Sequence, residues 1–177
     1  MKRVISALAV ACGTAAFVAG LAAQGGAMGK VTVTLADGTG KSVGKATISE
    51  VKKGVSIALD VKGLTPGEHA IHFHQNAKCE GPAFATAGGH FNPDMKKHGL
   101  ENPDGPHAGD MKNFTVDAKG AAKATVTDDR VTLGSGPNSL FTNGGTAIVI
   151  HAKADDMKTD PSGNSGDRIA CGVIAKQ

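Results

Sequence analysis

Apolar residues recur at every second position in short runs: "KVTVTLA" (30 to 36), "KATISEV" (45 to 51), "VSIALDVKG" (55 to 63), "HAIHFH" (69 to 74), "NFTVDA" (113 to 118), "KATVT" (123 to 127) and "TAIVIHA" (146 to 152). Period two places alternate side chains on opposite faces of an extended strand. Gly, Asn, Asp and Pro punctuate the runs, as in "ADGTG" and "DAKG", where turns need residues that tolerate unusual backbone angles. No stretch carries the 3.6-residue period of an amphipathic helix. The pattern predicts an all-β domain of seven or eight short strands, a Greek-key β-sandwich or small barrel of the immunoglobulin-like kind.

Residues 75 to 111 break the rhythm: "QNAKCEGPAFATAGGHFNPDMKKHGLENPDGPHAGDM" contains no strand pattern. A connection that long inside a compact domain is either disordered, or functional and held by something other than a hydrogen-bond ladder. A second glycine-rich polar stretch, "KADDMKTDPSGNSGDRIACGV", follows the run at 146 to 152.

The N-terminus, "MKRVISALAVACGTAAFVAGLAAQGGAMGK", has two basic residues, an apolar run and then small residues, the layout of a secretory signal peptide. Gly13 and Gly20 interrupt the run and large side chains are few, which favours cleavage, between Ala22 and Ala27, over a retained membrane anchor. The reading is a signal peptide and short linker at 1–27 and one domain at 28–177, periplasmic or secreted and free of the membrane once cleaved. Removing Lys2 and Arg3 lowers the formal charge from +3 to +1. With no basic stripe and no interleaved aromatics, nucleic acid is excluded as a partner. Cys12 leaves with the apolar run. Its neighbours "LAVAC" faintly resemble a lipoprotein cleavage site, but the leader is short for one. Cys79 and Cys171 remain, and in an oxidising compartment one pair defaults to a disulfide. Closing a loop of that length restricts the unfolded chain by about 4 to 5 kcal/mol.

All seven histidines lie between residues 69 and 151. In "EHAIHFHQN", His72 and His74 share a strand face, with Cα atoms roughly 6.6 Å apart, a spacing from which both rings can lean onto one ion. His69 shares the other face with Ile71 and Phe73, where a buried histidine is satisfied by backbone or supports a site from behind. The long loop adds His90, His98, His107 and Asp110, spaced H-x7-H-x8-H-x2-D, the imidazole and carboxylate ligands that tetrahedral zinc accepts. Singly, each is as readily a solvated loop residue; their clustering points to metal. His151 ends an apolar run, where it is either a core residue or a ligand. Asp155, Asp156 and Arg168 follow, and Arg168 is either part of a surface salt bridge or a group held near the scaffold by Cys171.

Taken in order, "HAIHFH", "GGHFNPDMKKHG", "PHAGD", "VIHAKADD" and "GNSGDRIACGVI" resemble the copper, zinc superoxide dismutase family, over essentially the whole chain after the leader. The resemblance implies an eight-stranded Greek-key β-sandwich. It implies copper held by His72, His74, His90 and His151, and zinc held by His90, His98, His107 and Asp110, with His90 bridging the two and carrying protons. Asp155 is implied to orient His72 and His98, His69 to pack behind the copper strand, and Arg168 to hold a small anion at the channel rim. The implied activity is dismutation of superoxide to dioxygen and hydrogen peroxide, in antioxidant defence outside the cytoplasm. The family includes monomers and dimers, so a homodimer is admitted. A steering lysine of the eukaryotic pattern is replaced near Pro161, and Lys153 and Lys158 are the candidates to compensate. Two other readings compete: a non-catalytic exported copper/zinc carrier on the same scaffold, and an adhesion module that leaves the histidines without a purpose.

Overall fold

The computed structural model describes residues 29–176; the signal-peptide and Cys12 readings fall outside them. Nine strand segments follow one another: β1 (Lys30–Ala36), β2 (Ser42–Glu50), β3 (Val55–Lys62), β4 (Gly67–His69), β5 (Ile71–His74), β6 (Phe114–Val116), β7 (Ala121–Asp128), β8 (Thr146–His151) and β9 (Arg168–Ile174). Seven form an antiparallel sheet in the order β5-β8-β9-β1-β2-β3-β7, and β4 pairs with β6. The run expected at 69 to 74 is two segments because Ala70 leaves the ladder. Its N–H donates to the Lys153 carbonyl at 2.8 Å, and its carbonyl accepts from the His151 N–H at 2.9 Å. Since β4 runs directly into β5 and β6 turns tightly into β7, the β4–β6 ribbon joins the two edges of the curled sheet. Closure of this kind hides edge strands.

Inside lie the alternating residues: Val55, Ile57, Leu59 and Val61 of β3 and Ile148 and Ile150 of β8 are all buried. Two features escaped the period-two pattern. β2 starts at Ser42 rather than 45, because the register with β1 shifts at Leu35/Ala36 opposite Gly44, where φ is +143° and a Cβ would lie 2.1 Å from the Asp60 carbonyl. Such a bulge flips the side-chain alternation, so Val43 and Ala46 both face inward. β9 loses its alternation at the centre, where Ala170, Cys171 and Gly172 are all buried. Its second face is covered by a small cluster in which Phe84 and Ala87 of the long loop pack on Ala147, Val149 and Cys171.

The disulfide joins that loop to β9: Cys79 and Cys171 are bonded across a separation of 92 residues, with Cα atoms 5.6 Å apart. Further along, the loop runs beside β5, where the Phe73 N–H donates to Gly109 at 2.9 Å and the Phe91 N–H to Phe73 at 2.7 Å. The loop is therefore ordered by the scaffold and by its own polar centre.

Candidate metal centre

Strand β5 sends Ile71 and Phe73 into the core and turns His72 and His74 the other way, towards the loops; all four are fully buried. His151, at the end of the neighbouring strand β8, and His90, bridged to His74 across the loop, complete a group of four. Their ligand atoms lie within 4.8 Å of one another.

Hydrogen bonding dictates which nitrogens converge. His72 Nε2 lies 2.7 Å from Asp155 Oδ2, His74 Nδ1 2.9 Å from the Gly88 carbonyl, and His90 Nδ1 2.8 Å from Asp110 Oδ1. His151 Nδ1 faces the Gly166 carbonyl at 3.2 Å and Ser165 Oγ at 3.1 Å. The opposite nitrogens, Nδ1 of His72 and Nε2 of His74, His90 and His151, are buried with no partner. A neutral imidazole that donates from one nitrogen offers a bare lone pair at the other, and four such lone pairs facing one point are unfavourable unless a cation sits among them. Burial, followed by the neighbouring rings, holds His72 down at about 3. Burial likewise lowers His74, and His151 falls to about 4. These rings are unprotonated at neutral pH, the form in which imidazole binds metal.

A second group shares His90. Asp110 Oδ1 lies 2.8 Å from His90 Nδ1, 3.0 Å from His98 Nδ1 and 3.3 Å from His107 Nδ1. The edges of a tetrahedron with bonds of about 2.0 Å are about 3.3 Å, so the donor set fits an ion of zinc's size and preference. Asp110 is pinned for this. Its Oδ2 accepts from the backbone N–H of Gly99 and of His107, both at 2.9 Å, which leaves Oδ1 to the three rings. Although burial opposes ionisation, the hydrogen bonds from His107, His90 and His98 hold the Asp110 carboxyl far below the usual carboxylate range.

Asp155 connects the groups, since its Oδ2 meets His72 while its Oδ1 lies 3.0 Å from His98 Nε2. His69 is behind them, with Nδ1 2.7 Å from the His151 carbonyl and Nε2 2.8 Å from that of Thr65. Among the described residues Arg168 makes no surface ion pair. It leaves β9 with Nη1 donating to Phe84 and Nη2 to Gly88, each carbonyl at 2.7 Å, and lines a cleft of about 490 Å³ beside His90, His107, His151 and Gly166. Lys153 packs its stem towards Gly166, whereas Lys158 is tied to Glu101 by an exposed pair at 3.0 Å.

Sequence reading passed over the residues that hold these groups in place. Asn113 clamps the Asp155 backbone from both sides, donating to its carbonyl and accepting from its N–H at 2.9 Å each. Gly163, at φ +62°, lies so close that a Cβ would be 1.7 Å from Asp155 Oδ1. An isolated asparagine and one glycine in a glycine-rich loop carry no distinguishing signal.

Comparison with known proteins agrees with this geometry. Residues 42–174 match the family model for copper/zinc superoxide dismutase. A Cu-Zn superoxide dismutase of Aquifex aeolicus is 52% identical over 147 residues, 82% of this chain and 86% of the relative. One from Caulobacter vibrioides is 43% identical over 146 residues, 81% and 84% of the two chains. The crystal structure of a SOD-like protein from Bacillus subtilis superposes with a TM-score of 0.79 at 38% identity, covering 84% of this chain and 99% of that one. The Cu/Zn superoxide dismutase of Brucella abortus gives 0.69 at 29% identity, covering 82% and 99%. With that match over most of its length, the chain belongs to the copper/zinc superoxide dismutase family.

Proposed function

We propose that this protein dismutates superoxide, two superoxide anions and two protons giving dioxygen and hydrogen peroxide, with copper at Nδ1 of His72 and Nε2 of His74, His90 and His151. Zinc is assigned to Nδ1 of His90, His98 and His107 and to Asp110 Oδ1. The carrying observation is the set of four partnerless, buried imidazole nitrogens beside a second four-donor set that shares His90. Bound copper supplies the redox chemistry, accepting an electron from one superoxide and returning it to another, while zinc is redox-silent and supplies fixed charge.

The residues do the rest. Arg168, its guanidinium fixed by two carbonyls, presents a cation on the cleft wall where a small monoanion is held and oriented. His90 also lines the cleft, and its Nε2, when it is not holding copper, would be the atom at which a proton is held for the peroxide product. Asp155 and the Gly88 and Gly166 carbonyls keep the donating nitrogens of His72, His74 and His151 engaged, so the bare nitrogens stay aimed inward.

The same reading takes residues 1–27 as a cleaved signal peptide and linker, 28–177 as the functional domain, and the periplasm or cell exterior as its location. The mature protein is free of membrane and is either a monomer or a homodimer. A non-catalytic carrier would have no use for an arginine facing the metal groups across an open cleft. The test is superoxide consumption by purified protein with and without added copper, alongside metal analysis. Stoichiometric copper with no superoxide consumed would leave the carrier; absence of both metals would refute the assignment altogether.

A further inference from the structure

Beyond the ligands, one guanidinium reaches the backbone of the carboxylate in the zinc group. Arg130 follows β7 and its Nη2 donates to the carbonyl oxygen of Asp110, while Nη1 donates to Asp129 Oδ1 at 3.0 Å. Asp128, 1% exposed, accepts from the Arg130 backbone N–H through Oδ1 at 2.9 Å, and the same oxygen forms an ion pair with Arg130 Nη2 at 2.9 Å. The Arg130 carbonyl is held in turn by Asn138 Nδ2 at 2.9 Å. Arg130 is thus fixed at both ends and grips Asp110 from the side opposite its ligand oxygen.

We propose that Arg130, oriented by the buried Asp128 carboxylate, is a positioning residue that sets Asp110 for metal; this rests on the assignment of Asp110 as a zinc ligand. The reason is geometric. The Asp110 side chain is fixed by Gly99 and His107 through Oδ2, but both donors belong to the same loop and move with it. β5 holds the Asp110 segment on one side, through the His72–Asp110 bridge and the Phe73–Gly109 hydrogen bond, and Arg130 adds a hold on the Asp110 carbonyl from the end of β7. Only a planar fork reaches the Asp110 carbonyl, Asp128 and Asp129 together. Without it the Asp110 peptide is held from the β5 side alone, through its bridge to His72, and can tilt about that edge, and a ligand misplaced by a fraction of an ångström loses metal affinity. Partners that orient metal ligands are typically worth about 10- to 100-fold in affinity.

The experiment titrates cobalt(II), a visible probe of tetrahedral sites, into copper-loaded, zinc-depleted protein. It compares the native chain with Arg130→Met and with the double variant Arg130→Met, Asp128→Asn, which removes the stranded buried carboxylate. The expected result is at least a tenfold weaker cobalt affinity and altered ligand-field bands in both variants, with copper retained. Native affinity and bands in both variants overturn the proposal. A double variant that binds as the native chain does, while the single one fails, also overturns it, because the defect then belongs to unpaired Asp128. If the native chain itself takes up no tetrahedral cobalt, the assignment of the zinc group fails first and this role with it.

Discussion

The Nδ1 atoms of His90 and His107 lie 3.4 Å apart, with Asp110 Oδ1 within 3.3 Å of both. With no cation between them, that one carboxylate oxygen must take hydrogen bonds from both rings and from His98 as well, three donors on two lone pairs. A cation resolves the arrangement.

Proton release distinguishes the two groups. In the metal-free protein, burial disfavours charge on His98, yet hydrogen bonds to Asp110 and Asp155 prevail and raise it to about 9. Its folded pKa is raised, so its contribution to stability is complete below the unfolded value of about 6.5 and lost as pH rises through about 9. Zinc must displace that proton, so zinc affinity should fall about tenfold per unit as pH drops below 9. Copper binding near pH 7 should release little, because His72 and His151 are held down at about 3 and about 4. Calorimetric titrations in buffers of different ionisation enthalpy measure both. Equal proton release by the two metals would contradict this.

Asp155 should act on both metals at once. Asp155→Ala removes the acceptor from His72 Nε2 and from His98 Nε2 together, and each metal's affinity should fall about 10- to 100-fold. Gly163→Ala should reproduce part of the effect, since its methyl collides with the same carboxylate at a left-handed backbone position. Chelator competition for each metal separately is the measurement, and loss of one metal only would refute the shared role.

Substitution of Arg168 by alanine should leave copper and zinc content unchanged, while the second-order rate falls about tenfold or more and its ionic-strength dependence weakens. The cause is loss of the one guanidinium facing the cleft from β9. Pulse radiolysis across a salt series reads both quantities. A native rate would remove Arg168 from substrate capture.

The disulfide should matter to rate as well as to stability. Cys79 anchors the loop whose Phe84 and Gly88 carbonyls hold the Arg168 guanidinium, and Cys171 is on the strand that carries Arg168 itself. Replacing both cysteines by serine should cost about 4 to 5 kcal/mol in denaturant unfolding and lower the rate with metals retained. Thiol labelling of the native oxidised protein should find neither residue free.

Strands were legible where one face meets the core and the other meets water, as in β3, whose Val55, Ile57, Leu59 and Val61 alternate with more exposed neighbours. β9 was not, because its centre is covered on both faces and has no alternation to read. The same logic divides the centre. His72 and His74 declare a common face through strand periodicity alone, and the loop histidines declare themselves by clustering. Asn113, Gly163, Arg130 and Asp128 act through contacts across 42, 8, 20 and 2 residues of sequence respectively, leaving no local pattern.

From its sequence alone this protein is an all-β chain with histidines gathered in one region and the motifs of a metalloenzyme family. Local periodicity and residue chemistry suffice for that, because side-chain direction along a strand depends only on the strand. Which nitrogen of each ring is left bare was decided by tertiary structure, through acceptors such as Asp155 and the Gly88 and Gly166 carbonyls brought in from distant loops. An imidazole's two nitrogens are told apart by what the fold places beside them.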